Sequence, residues 1–173
     1  VDYFFSGHNT GIGLLGGFDG ICVIDIDAYN YTKYLDKEAT PFSFLVKVLD
    51  KLWITYEEDL CDKLTIQRSK SGGFHFIFRY YGDISTISSK LSVIGKKYTK
   101  ENQERDLIDF RKSGYICIEP TPDYEVIQGD LRKIKTLNEA EFIYLIEALK
   151  SFDLREAAVK NRKEAIKREK IKA

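Results

Sequence analysis

The chain has 173 residues, of which 43% are hydrophobic and 31% charged, and its formal net charge is zero. This length and composition suit one globular domain with its own core, and the charge balance does not indicate a globally basic nucleic-acid binder. The charge is uneven, however, because residues 154–173 carry a net charge of +5 and the remainder about −5. We therefore expect a folded domain over residues 1–153, followed by a charged helical tail or linker over residues 154–173.

The sequence carries no sign of export or of membrane insertion. No apolar run approaches the ~20 residues that a membrane-spanning helix needs, and no secretory signal is visible. The three cysteines, Cys22, Cys61 and Cys117, are odd in number and far apart. That pattern argues against a disulfide framework or a zinc site and predicts a protein of the reducing cytoplasm.

Two aspartates follow an apolar, β-branched run that predicts a buried strand, Ile21–Ile24. Residues two apart in a strand point the same way and are about 6.6 Å apart. Asp25 and Asp27 could therefore reach one divalent cation or two adjacent ones, and Mg²⁺ and Mn²⁺ prefer such oxygen ligands. The alternative is a plain turn signal, because aspartate is common in turns.

The stretch before this strand predicts a hairpin. Residues 11–16 match G-x-G-x-x-G, the dinucleotide-binding pattern, but a strand follows them where that pattern would open a helix. We therefore expect Ile12–Leu15 to pair with Ile21–Asp27. After it, Thr40 and Pro41 mark the start of a helix, whose apolar residues up to Trp53, aromatics included, are expected in the core.

The second half predicts more strands and a final amphipathic helix. Residues 84–100 are rich in serine and lysine and predict a helix or loop. Asn138, with Glu141 three residues later, is typical of a helix start. The strands are expected at Leu64–Arg68, Phe74–Tyr80, Asp106–Arg111, Tyr115–Glu119 and Tyr124–Ile127.

Three of the predicted strands carry polar residues opposite an apolar face. They supply Asp25 with Asp27, then His75, then Asp109. A third carboxylate is what a two-metal site needs, since its ions lie roughly 3.5–4 Å apart and share ligands. The stretch Ser71-Gly72-Gly73, just before the histidine, suits a phosphate, because glycines let backbone N–H groups approach an anion. Arg111 would add positive charge.

Each of these features also has a structural explanation. Ser-Gly-Gly is common in hairpin turns, a lone strand histidine is more often structural than catalytic, and Asp109 beside Arg111 could be a surface ion pair of little energetic weight. Their occurrence together, in this order and on polar faces, favours a functional site.

The pattern resembles the archaeo-eukaryotic primase superfamily, in particular the bifunctional primase-polymerase (Prim-Pol) domains of plasmid and phage replication proteins. The resemblance covers roughly residues 9–130. It lies in three motifs, GIGLLGGFDGICVIDID, SKSGGFHFIF and LIDFRKSGYICIEPTP.

The resemblance implies an α+β fold with a mixed or antiparallel, RRM-like central sheet and flanking helices, with residues 1–153 as the catalytic domain. It implies two Mg²⁺ or Mn²⁺ ions held by Asp25, Asp27 and Asp109, which would also be the catalytic residues. The nucleotide-binding residues that it implies are Ser71, Gly72, Gly73, His75 and Arg111. Of these, Arg111 matches the family pattern only approximately.

The implied activity is template-directed nucleotidyl transfer, with primers made from NTP or dNTP on single-stranded DNA. Lysines and arginines across the sheet would contact the template. No P-loop motif occurs in the chain, so any helicase domain would follow the charged tail. The family's habit makes a virus, plasmid or other mobile element a plausible source.

Two other functions remain open at this point. A non-catalytic replication-initiator module on an RRM-like sheet would bind nucleic acid without needing the three aspartates. A metal-dependent glycosyltransferase also uses D-x-D to hold a nucleotide diphosphate, but needs neither Asp109 nor His75 in these settings. A strand-nicking replication protein is disfavoured, because His8 and His75 are the only histidines and form no H-x-H pair.

Overall fold

Two antiparallel β-sheets and flanking helices make up residues 11–53 and 60–172, the part that the computed structural model describes. The larger sheet has six strands in the order β5-β6-β2-β4-β3-β8, and the smaller pairs β1 with β7. This is the expected α+β class, and the central sheet is antiparallel throughout. The strands are β1 (Ile12–Gly16), β2 (Ile21–Ile26), β3 (Thr65–Arg68), β4 (Phe74–Arg79), β5 (Lys90–Ile94), β6 (Arg105–Arg111), β7 (Gly114–Ile118) and β8 (Glu125–Gln128).

The helices up to Lys150 pack against one face of the larger sheet and form the main core with it, whereas the last helix, Glu156–Lys172, contributes none of its described residues to that core. The alternation in β4 explains the layering, because Phe74, Phe76 and Phe78 point into this core. The opposite face holds a smaller apolar cluster, in which Val23 and Ile77 meet the two-stranded sheet. The helices are α1 (Ala28–Tyr34), α2 (Pro41–Trp53), α3 (Leu60–Lys63), α4 (Glu139–Lys150) and α5 (Glu156–Lys172).

The helix start at Pro41 is confirmed, and the Thr40 hydroxyl accepts a hydrogen bond from the Ser43 N–H at 3.1 Å. The expectation that all of its aromatics are core residues is wrong. Phe42 and Trp53 are 60% and 63% exposed, whereas Phe44 is fully buried. The buried stripe is Phe44, Leu45, Val48 and Leu52, so the helix is rotated relative to the face that we expected.

The predicted hairpin between β1 and β2 is also wrong. β1 pairs with β7, with Gly13 opposite Cys117. Both edges of β2 are occupied, one by β4 and the other by β6, which leaves no edge for β1. A short 3₁₀ turn at Phe18–Gly20 separates β1 from β2, and β1 with its partner packs across the face of the sheet instead.

β5 lies within the serine- and lysine-rich stretch for which we expected a helix or loop. It pairs with β6, and four of its five residues are buried. Ser92 is fully buried and donates a hydrogen bond to the Leu149 carbonyl at 2.6 Å. A strand covered on both faces shows no alternation of polar and apolar residues, so its sequence pattern gives a weak signal.

The capping box at the start of α4 is confirmed. Asn138 accepts from the Glu141 N–H at 2.9 Å, and the Glu141 carboxylate accepts from the Asn138 N–H at 2.9 Å. Glu141 is fully buried and also forms an ion pair with Lys63. Among the described residues, none of the helices has the length and apolar character needed to cross a bilayer.

The pairing of β1 with β7 makes a direct prediction. Introducing Gly13→Cys places a thiol opposite Cys117, and we expect a disulfide to form on mild oxidation, because facing Cβ atoms lie close enough. Mass spectrometry without reductant would detect the bridge. Leu15→Cys, which is opposite Tyr115, is the control and should cross-link much less. Equal cross-linking of both variants, or none in Gly13→Cys, would contradict the register.

Candidate functional site

The predicted site residues on three strands lie in a single row across the larger sheet. Asp25 on β2 is directly opposite Asp109 on β6 and directly opposite His75 on β4. Directly opposite residues on neighbouring strands point to the same face. The row continues to Gln67 on β3, which faces His75. This polar row lies on the face opposite the helices.

Arg111 and His75 are the partners of Asp25. The Arg111 Nη2 and Nε atoms donate to Asp25 Oδ2 at 2.8 Å and 3.2 Å. The Nε2 atom of His75 lies 3.8 Å from Asp25 Oδ1. The Asp25 side chain is 27% exposed, so it can be reached from solvent while keeping these contacts.

Asp109 has no such compensation on one of its oxygens. Its Oδ1 atom is buried and has no hydrogen-bond partner. Burial, together with the negative charges of Asp106 and Asp25, raises the pKa of Asp109 to about 6, against the opposing effects of Arg111 and Lys90. An unpartnered, buried carboxylate oxygen fits a bound cation, because a cation would remove the cost of its burial.

Asp27 lies just beyond the strand and caps the next helix. β2 ends at Ile26, and the Asp27 carboxylate accepts from the Asn30 N–H at 3.1 Å and from the Asn30 Nδ2 atom at 2.7 Å. Burial is the main cause that raises the pKa of Asp27, with smaller contributions from the charges of Asp25 and Asp106. Asp27 therefore caps the helix and also interacts electrostatically with Asp25 in the row.

The carboxylates do not form a complete metal cage by themselves. Within residues 11–53 and 60–172, no three acidic, histidine or cysteine side chains are arranged to hold one ion. The Arg111 guanidinium takes up one oxygen of Asp25. Carboxylate oxygens are nevertheless the type of ligand that hard divalent cations prefer, and each carboxylate has lone pairs left to coordinate an ion.

The small-residue turn before His75 has a defined geometry. The Ser69 N–H donates to the Gly73 carbonyl at 2.8 Å, and the Gly72 N–H donates to the Ser69 carbonyl at 2.9 Å. Gly72 has a φ of +82°, and a Cβ on Gly73 would lie 2.6 Å from the Ile26 carbonyl oxygen. Gly72 is therefore needed for the left-handed backbone conformation of the turn, and Gly73 for its close approach to the end of β2.

A pocket of about 390 Å³ opens beside this turn, and Lys70 and Asp123 at its wall form a 3.6 Å ion pair. The hydroxyls of Ser69 and Ser71 are 3.2 Å apart. The Gly72 N–H is used within the turn and so is not available to an anion, whereas the serine hydroxyls can donate. The residues lining the pocket are Arg68, Ser69, Lys70, Gly72 and Asp123.

A family model described as bifunctional DNA primase/polymerase, N-terminal, matches residues 4–140 of the chain. The chain belongs to this Prim-Pol family. The match spans most of the chain, and the resemblance inferred from the three motifs is thereby confirmed. Membership of the Prim-Pol family supports a primase/polymerase-type function in replication. No curated protein and no solved structure matches the chain significantly.

All the site residues predicted from the sequence lie within the span that the Prim-Pol model matches, and α5 lies outside it. Three neighbours of the site were not predicted, namely Gln67, Asn30 and Asp106. Gln67 is the polar residue facing His75 on β3, so the pairing of β3 with β4 is the signal that would have found it. Asn30 follows Asp27 at the spacing of an Asp cap, which is a second readable signal.

The raised pKa of Asp109 predicts how pH affects stability. Its folded pKa of about 6 is above the ordinary 3.8, so the wild-type protein loses stability as pH rises through about 6. Asp109→Asn removes this loss. We expect the variant to be more stable at pH 8 by on the order of 1 kcal/mol, after allowance for solvent screening, and to show no such gain below about pH 4.

Chemical denaturation at several pH values, without divalent ions, measures this effect. Asp62→Asn, at an exposed aspartate, is the control and should leave the pH dependence unchanged. A stability difference for Asp109→Asn that is constant across this range would contradict the assignment.

Proposed function

We propose that this Prim-Pol domain is a template-directed nucleotidyltransferase, a DNA primase/polymerase that makes primers from NTP or dNTP on single-stranded DNA. The observation that carries the proposal is the row in which Asp109, Asp25 and His75 face the same side of the sheet. The unpartnered Oδ1 atom of Asp109 supports a cation at that place.

Asp25, Asp27 and Asp109 would hold two Mg²⁺ or Mn²⁺ ions. Such ions lower the pKa of an attacking 3′-hydroxyl and stabilise the departing pyrophosphate. The chain's own contribution is to place the carboxylates on a rigid support: Asp25 and Asp109 on two paired strands, and Asp27 fixed by Asn30 at the start of α1. Rigid placement matters because preorganised charges need no reorganisation during reaction.

Arg111 would exchange partners when a nucleotide binds. In the structure its guanidinium neutralises Asp25 through two contacts to one oxygen. An incoming triphosphate offers a more highly charged partner, and guanidinium groups bind phosphate well. The release of Arg111 from Asp25 would free a carboxylate oxygen for a metal ion at the same step.

The turn before β4 and His75 would hold the nucleotide's phosphates. The Ser71 hydroxyl next to Ser69 and the Nε2 atom of His75 are the donors for this task. Gly72 and Gly73 would act through the backbone conformation that brings the turn against β2. Burial is the main cause that lowers the pKa of His75, and this favours the neutral imidazole. A neutral ring can still donate one hydrogen bond to a phosphate through its N–H.

Single-stranded DNA would lie along the same side of the sheet as the row. The body of the chain carries about −5, so we expect template binding to be weak and to fall steeply with salt. Two of the chain's basic residues, Arg132 and Lys135, already have partners. Arg132 forms a 2.9 Å ion pair with Asp130, and Lys135 donates to the Asp62 carbonyl.

The second candidate is a non-catalytic nucleic-acid-binding module. The observation in its favour is the Asp25–Arg111 ion pair, which satisfies both residues without a metal ion. This alternative requires neither divalent cations nor Asp109, so the two functions separate in one assay.

The first prediction of the proposal concerns the carboxylates. Asp25→Asn or Asp109→Asn should lower primer synthesis and extension by about a hundredfold or more, because transition-state charge loses its support. We also expect Mn²⁺ to raise the melting temperature of the wild-type protein, and each variant to lose that increase. The assay combines the folded protein, single-stranded template, labelled nucleotides and Mn²⁺ or Mg²⁺. Asp62→Asn is the matched control.

Absence of both primer synthesis and extension in the folded wild-type protein would contradict the enzymatic proposal. Full activity of Asp109→Asn would rule out its role in a two-metal site.

The second prediction concerns Arg111, whose replacement should strengthen metal binding and weaken nucleotide binding. Arg111→Met should tighten Mn²⁺ binding to the nucleotide-free protein, because Asp25 loses its competing cation, and should raise the KM for the nucleotide about tenfold. Calorimetric Mn²⁺ titration and steady-state kinetics measure the two. Arg132→Met, which breaks another Arg–Asp pair, is the control and should do neither. Weaker Mn²⁺ binding in Arg111→Met would contradict the exchange of partners.

A further inference from the structure

Gln67 is a polar residue with no exposed surface in the middle of the sheet. Its exposed fraction is 0%, and it lies on β3 directly opposite His75. Burial of a side-chain amide is costly unless its hydrogen bonds are made. Three partners satisfy Gln67, and two of them are backbone groups of β7 and the residue that follows it.

The two backbone partners fix the orientation of the Gln67 amide. The Glu119 N–H can only donate, and it does so to Gln67 Oε1 at 2.9 Å. The Cys117 carbonyl can only accept, and it does so from Gln67 Nε2 at 3.0 Å. The oxygen and nitrogen of the amide therefore cannot be exchanged without the loss of both bonds.

The fixed amide in turn determines which nitrogen of His75 carries the proton. Gln67 Nε2 lies 3.0 Å from His75 Nδ1. Since Gln67 Nε2 is a donor only, Nδ1 must accept, and a neutral imidazole then carries its proton on Nε2. Nε2 is the atom that faces the Asp25 carboxylate at 3.8 Å, on the side of the row.

We propose that Gln67 is a positioning residue that holds neutral His75 in the Nε2–H tautomer, so that the ring presents an N–H donor to an anionic ligand in the site. The opposite tautomer would turn a lone pair toward that ligand and repel it. In identifying the ligand as a nucleotide phosphate, the inference rests on the function proposed above; the tautomer itself does not.

The same contacts link the two sheets. Cys117 belongs to β7 of the smaller sheet, whereas Gln67 and His75 belong to the larger one. The position of the small sheet is thereby coupled to the hydrogen-bonding state of a site residue. Gln67 does not contact Asp25 or Asp109 among the contacts of the described residues, so its direct link to the row is His75.

Nitrogen-15 NMR of the wild-type protein is the direct test. The chain has two histidines, so a His8→Gln variant assigns the signals of His75. At about pH 8, well above the ordinary histidine pKa of about 6.5, we expect His75 to be protonated at Nε2 and unprotonated at Nδ1. Protonation at Nδ1 in the wild-type protein would overturn the proposal without any variant of Gln67.

The Gln67→Glu variant provides the second test of the proposal. The carboxylate can still accept from the Glu119 N–H but cannot donate to His75, so we expect Nδ1 to become protonated. At a pH where the same spectra show a neutral ring, the nucleotide KM should rise about tenfold with little change in kcat, as for a lost binding contact.

Gln128→Glu is the matched control, because Gln128 also donates to two backbone carbonyls, those of Cys61 and Leu64. It should lower stability, by less because Gln128 is only half-buried, and leave the His75 signals unchanged. Unchanged His75 signals in Gln67→Glu, or equal changes in Gln128→Glu, would overturn the proposal. An inactive wild-type protein with the expected tautomer would contradict the proposed function while supporting the role of Gln67.

Discussion

The register of four antiparallel strands is the constraint on which the site depends. β2 is held between β4 and β6, and the pairing sets Asp25 opposite both His75 and Asp109. A slip of one residue in either pairing would turn a polar side chain into the aromatic core and an apolar one toward the site. The packing of Phe74, Phe76 and Phe78 under the helices therefore fixes the geometry of the opposite face as well.

Electrostatic imbalance is the second feature of this face. Arg111 compensates Asp25 directly, and Lys90 pairs with Asp106, but Asp109 keeps a buried oxygen without a partner. Such an imbalance costs stability, and proteins tolerate that cost where a ligand completes the site. The proposed cation-binding role gives a reason for the unpartnered oxygen and for the burial that raises the pKa of Asp109.

Much of the site could be predicted because its residues alternate with core residues in strands. The alternation around His75 and Asp109 identified the polar face, and the motif order identified the family. Strand pairing was harder, since β1 joins a strand about a hundred residues away and local turn signals favoured its neighbour. Likewise the sequence of β5 lacks the alternation of polar and apolar residues, because the strand is covered on both faces. The role of Gln67 depends on contacts among β3, β4 and β7, which the sequence alone does not place together.

The central claim is that Asp25 and Asp109 share metal ions on the face of the larger sheet opposite the helices. A crystal structure with Mn²⁺ and a non-hydrolysable nucleotide, read from the anomalous signal of manganese, tests it most directly. The account predicts manganese peaks within coordination distance, about 2 Å as for Mg²⁺, of oxygens of both carboxylates, with Arg111 moved from Asp25 to a phosphate. Manganese bound elsewhere, with the Asp25–Arg111 pair intact beside a bound nucleotide, would contradict the account.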